Sequence, residues 1–121
     1  MKIAKKSDKD LPIACVIEKD GHIITEATNS VEKECNALYH AEIVAITSAM
    51  KILNTKYLYG CSLYCTLEPC KMCFYAINIA RIDNVVFYAR TQNQIAQNTQ
   101  FEYIPNGDVI SDLQKFFKQY R

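Results

Sequence analysis

The chain has 121 residues, half of them apolar, a formal net charge of +1 and six cysteines. That length supports one domain with a real core, here read as residues 1–121, and is too short for two. A near-neutral balance argues against binding nucleic acid through bulk charge, so any such partner must be met by a local patch.

No run of 18 or more apolar residues is present to cross a membrane. Met1-Lys2-Ile3-Ala4-Lys5-Lys6 puts charges where a signal peptide needs an apolar core, so a cytoplasmic location is expected. In chain order, residues 2–8 allow only a short basic helix. Leu11 to Glu18 is a continuous apolar run ending at Asp20-Gly21, and His22 to Thr28 resumes with β-branched residues, the pattern of a hairpin. Cys15 on its first strand reads as a small core residue and His22 as solvated. Asn29 to Leu38 is polar and turn-rich, a loop leading into a helix that starts near His40. From Ala41 to Leu53 nearly every position is apolar or small, so that helix must pack on a sheet or beneath other elements.

Cys61 to Leu67 alternates and reads as a strand, which Pro69 ends while pre-setting the next helix, Cys70 to Ala80. Val85 to Tyr88 is a buried-type strand, Thr91 to Gln100 a loop, and Phe101 to Ile104 a short strand before Pro105-Asn106-Gly107. A last helix is expected from about Asp108, with Lys115, Lys118 and Arg121 beside Phe116 and Phe117. Alternating helical and strand segments define an α/β class.

The chemistry concentrates in two short stretches, His40-Ala41-Glu42 and Cys70-Lys71-Met72-Cys73. Cysteines three apart at a helix start share one face of its first turn. The helix N-terminus, with its partial positive charge, is expected to lower their thiol pKa toward the thiolate that zinc requires. His40 is the third ligand, and three protein ligands leave one tetrahedral position open, the mark of a catalytic zinc. Glu42 stands among apolar neighbours, where a carboxylate without a task is costly, and is read as the general acid/base facing that open position. Two other readings of the cysteines compete. A closed site adding Cys61 and Cys65 would need atoms about 13 Å apart along a strand at ~3.3 Å per residue to meet one ion. A thioredoxin-like dithiol would leave His40 and Glu42 unexplained.

The H-x-E and P-C-x-x-C pair resembles the signature of the zinc-dependent cytidine and deoxycytidylate deaminase superfamily. The segment Leu63 to Cys70, with Arg81 to Phe87, is most similar to the bacterial tRNA adenosine deaminases. The resemblance implies a three-layer α/β/α sandwich around a mixed five-stranded sheet, a zinc cofactor, a homodimer, and conversion of adenosine to inosine in a tRNA anticodon loop. It also implies that Asn29 bonds the target base and that Ile13 and Leu67 line its pocket. Departures fall where substrate choice is made: Asn36-Ala37-Leu38-Tyr39 replaces the family's Asp-Pro-Thr-Ala, Ala14 replaces a glycine, and Thr91 to Gln100 is short. A deaminase of free guanine or cytosine therefore stands as the second reading.

Overall fold

A computed structural model describes residues 14–90 and 100–104. The first strand pair is the expected hairpin: β1 (Ala14–Lys19) and β2 (His22–Thr28) pair antiparallel, joined by Asp20 and Gly21 at φ 53° and 79°. Two successive left-handed residues give a two-residue turn whose twist matches that of the strands, and Asp-Gly suits it because glycine carries no Cβ to clash. The Glu18 carboxylate accepts a 2.8 Å hydrogen bond from the Gly21 N–H, and the register slips between Ile17 and Glu18 as the ladder meets the turn.

Helix α1 (Ala41–Leu53) follows, then β3 (Cys61–Cys65), helix α2 (Lys71–Ile79), β4 (Asn84–Phe87) and β5 (Phe101–Tyr103). The strand order is β2-β1-β3-β4-β5, with β1 antiparallel to both neighbours and β3, β4 and β5 mutually parallel. The sheet is thus mixed and five-stranded, as the resemblance implies. Strand β3 stops two residues before the expected end because the Thr66 hydroxyl, in place of a backbone carbonyl, accepts the Ala14 N–H at 3.1 Å.

Period-two alternation decides what faces the helices. Cys15 and Ile17 of β1, Cys61, Leu63 and Cys65 of β3, Val85 and Phe87 of β4 and Phe101 of β5 join one core with Ala41, Ala45, Ile46 and Ala49 of α1 and Ile77 of α2. The alanines at 41, 45 and 49 recur every four residues, so α1 presents a stripe without bulk and lies close on β1 and β2. Helices α1 and α2 touch each other. Ala14 and Val16 point the other way and are also buried, so the opposite face of β1 is covered as well. The second helical layer of a sandwich, expected from the two terminal helices, and the loop 91–99 lie outside the described residues. Among the described residues, no helix is long and apolar enough to cross a membrane.

Candidate metal centre and active site

The two helices bring their N-termini together. His40 is the N-cap of α1 and Cys70 the N-cap of α2, both with extended backbone, and neither side chain caps its helix. Each is thereby left to face the other. His40 Nδ1 lies 3.6 Å from Cys70 Sγ and 3.7 Å from Cys73 Sγ, and the three ligand atoms lie within 4.8 Å of one another. Zinc bonds of about 2.3 Å to sulfur and 2.0–2.1 Å to nitrogen, opened to a tetrahedral angle, call for N···S separations of about 3.6 Å. The donor set fits the ion in type and in spacing. Cys61 and Cys65 sit in the core on the helix-facing side of β3 and do not join this group, so the closed four-cysteine site is not formed. A plain dithiol reading leaves the imidazole between the two sulfurs without a purpose.

Burial overrides the helix-end effect at Cys73. Its thiol is pushed well above the usual range, first by desolvation and then by the neighbouring Glu42 carboxyl and Cys70, whereas the helix N-terminus alone favours the thiolate. The expectation of a lowered thiol pKa is therefore corrected for Cys73: a metal must displace a firmly held proton. Glu42, in the first turn of α1, is 5% exposed. Burial raises its pKa; its own backbone N–H, the His40 charge and the thiols of Cys73 and Cys15 work in the opposite direction. A carboxyl held above its usual range is better suited to carrying a proton than an ordinary one.

The loop between β2 and α1 closes on itself. Ser30 N–H donates to the Tyr39 carbonyl at 2.9 Å, Asn36 N–H to Val31 at 3.0 Å, and the Asn36 side chain accepts from the Leu38 N–H at 2.9 Å. Asn29 and His40 flank this closure, so the loop returns the chain from one to the other. Asn29 Oδ1 is buried and is the one such side-chain oxygen or nitrogen without a partner among the described residues. An orphaned acceptor of this kind is costly unless a ligand completes it. Leu67 is half-buried on the segment that delivers Cys70. Ile13 lies outside the described residues.

Two contributors were not read from the sequence. Glu68, 4% exposed, has Oε2 3.8 Å from Arg90 Nη1, and its N–H donates to the Ala89 carbonyl at 2.7 Å, tying the approach to Cys70 to the end of β4. Arg90 in turn lies over the Tyr103 ring at 4.3 Å. The other is Cys15, buried on the helix-facing side of β1, whose sulfur lies 3.4 Å from Cys65 Sγ. Only strand register could have indicated it.

One open position beside a buried carboxylate is the arrangement of a hydrolytic rather than a structural zinc protein. Comparison with known proteins narrows that class. The model of the cytidine and deoxycytidylate deaminase zinc-binding region matches residues 1–89, and the chain belongs to that family of zinc-dependent hydrolytic deaminases. A tRNA-specific adenosine deaminase of Aquifex aeolicus is 39% identical over 126 residues, covering 93% of this chain and 83% of the relative. One from Bacillus subtilis is 43% identical over 91 residues, 74% of this chain and 56% of the relative. Among solved structures, one from work on A-to-I editing by tRNA:A34 deaminases superposes with a TM-score of 0.70 at 30% identity, covering 78% of this chain and 83% of its own. Guanine deaminase from Bacillus subtilis superposes at 0.66 and 29%, covering 93% and 82%.

Proposed function

We propose that this chain converts adenosine to inosine at the wobble position of a tRNA, with zinc held by His40, Cys70 and Cys73, Glu42 as the proton carrier, and Asn29 and Leu67, with Ile13, against the target base. The observation that carries the chemistry is the triangle of one imidazole and two thiols beside a buried carboxylate. Support for the substrate comes from the tRNA-specific relatives above. When bound, zinc supplies the Lewis acidity that lets a water lose a proton near neutral pH. Glu42 takes that proton and passes it to the ring nitrogen beside the amine-bearing carbon, making the carbon electrophilic. Once hydroxide has added to that carbon, Glu42 moves the proton of the new hydroxyl to the amine as the C–N bond breaks and the carbonyl forms, so that water and adenosine become inosine and ammonia. Asn29, with its unpartnered oxygen, accepts a hydrogen bond from the base and orients it. A cytoplasmic location, where a tRNA substrate would be met, and a single domain over residues 1–121 belong to the same proposal.

The guanine deaminase likeness favours a second reading, deamination of free guanine. Incubation with total tRNA and, separately, with guanine and cytosine, followed by nucleoside and base analysis, distinguishes the two. Inosine in tRNA is expected; xanthine from guanine with no inosine would replace the first reading by the second. In the same assay Asn29→Ala is expected to raise KM roughly tenfold with zinc content unchanged, the loss of one hydrogen bond to a desolvated partner.

The protein is also proposed to work as a homodimer. Helix α2 buries Cys73 and Ile77 but leaves Tyr75 63% and Ile79 71% exposed one turn apart, apolar surface that a second copy would cover. Light scattering at micromolar concentration is expected to give twice the chain mass; the mass of one chain would end this part of the proposal.

A further inference from the structure

The segment that delivers Cys70 is held by a side chain that the mechanism above does not use. Strand β4 ends at Phe87, and two residues further on the Ala89 carbonyl accepts the Glu68 N–H at 2.7 Å, so contact between the continuations of β3 and β4 reaches to within two residues of Cys70. Pro69, in between, is fully buried. On the other side of β4, β5 sets Tyr103 beside Phe87 in register, with their rings stacked at 5.4 Å. Arg90 spans both neighbours. Its guanidinium carbon lies 4.3 Å from the centre of the Tyr103 ring and 5.6 Å from that of Phe87, and its Nη1 is 3.8 Å from Glu68 Oε2.

Burial makes this pair unequal. The Glu68 side chain is 2% exposed and that of Arg90 30%, so the carboxylate lies in the interior and the guanidinium at its edge. Exposed ion pairs contribute little, but a carboxylate taken out of water and then deprived of its cation is strongly destabilising. A planar guanidinium can lie against a ring and still direct N–H groups at a carboxylate, which a lysine ammonium cannot do with the same fixed fork. Without Arg90 the carboxylate is drawn outward toward water. Residues 68–70 are one short tether, so what moves Glu68 moves Cys70, whose side chain makes no capping bond to resist it.

We propose that Arg90 is a positioning residue for the metal centre: aimed by Tyr103, it keeps the Glu68 carboxylate inside and so fixes the segment that presents Cys70 to zinc. The inference rests on Cys70 being a zinc ligand. A clasp that served the fold alone would be felt in melting and not at the metal.

Competition for zinc with a chromophoric chelator, on folded protein well below its melting temperature, reads the metal centre without turnover. Arg90→Ala is expected to bind zinc roughly tenfold to a hundredfold more weakly than wild type, the usual effect of removing a group that orients a ligand. Adding Glu68→Gln should restore most of that affinity, because a buried amide without a cation is far less costly than a buried charge. In the cobalt-substituted protein, the thiolate-to-cobalt charge-transfer band should shift in Arg90→Ala and return in the double variant. Val85→Ala, a core truncation elsewhere in β4, should lower the melting temperature and leave zinc affinity unchanged. Where Arg90→Ala does not fold, Arg90→Gln takes its place with the same expectations.

Wild-type affinity in the Arg90 variant, a double variant no better than the single one, or an equal loss in Val85→Ala would overturn the proposal. Failure of the underlying reading looks different: Cys70→Ala would itself keep zinc.

Discussion

Replacing Cys70 by alanine is expected to lower copurifying zinc from about one ion per chain to near none and to abolish deamination with it. Three ligands are the minimum for a catalytic site, and two cannot hold the ion against the hydration it regains on leaving. The same outcome is expected for Cys73→Ala and His40→Ala, read by metal analysis on folded, chromatographed protein. Full zinc occupancy in any of the three would sink the ligand assignment. The raised Cys73 thiol adds a pH dependence. Binding must release the proton that burial retains, so metal affinity is expected to fall as pH is lowered, and zinc uptake should acidify a weakly buffered solution.

Glu42→Ala is expected to behave in the contrary way, keeping zinc and fold while losing at least ~10²-fold in kcat, the usual contribution of a positioned acid/base group. Near-normal turnover would remove Glu42 from the mechanism. Its raised pKa also has a consequence for stability. A carboxyl that titrates higher in the folded state than its ordinary value of about 4.3 contributes most below that value, and the contribution is lost as pH rises through the raised one. At neutral pH the buried charge is therefore a cost. Glu42→Gln, with the charge gone and the shape kept, should melt at a higher temperature than the wild type in the metal-free form at neutral pH, as read by calorimetry.

Much of this was legible along the chain because its causes are local. Asp20-Gly21 admits the left-handed pair that the hairpin turn demands. The small, apolar run Ala41 to Leu53 has little face to give to water, and it packs accordingly. His40 and Cys70 sit at helix starts, where the chain leaves extended backbone, and spacing alone places Cys73 beside Cys70. What was not legible depends on register and depth. That Cys15 faces Cys65, rather than being any small core residue, follows from how β1 slides against β3, and no periodicity encodes the slide. The direction of the Cys73 shift depends first on the depth at which the thiol is buried and then on Glu42 arriving from another helix. The link from Glu68 to Arg90 joins residues on two loops, each of which reads alone as an exposed charge.

The ligands and the proton carrier stand on helix starts clamped to the sheet, while Val31 to Tyr39 is a self-bonded excursion whose large apolar side chains, Leu38 and Tyr39, are exposed. Inheritance can therefore act on the two parts at different speeds. Substitutions in the excursion reshape what enters without disturbing the metal triangle, because the Ser30 to Tyr39 bond isolates one from the other. A lineage could trade a macromolecular substrate for a free base through a few exposed side chains, with the reaction unchanged. Grafting alternative 31–39 segments onto this scaffold would turn that history into a selection experiment.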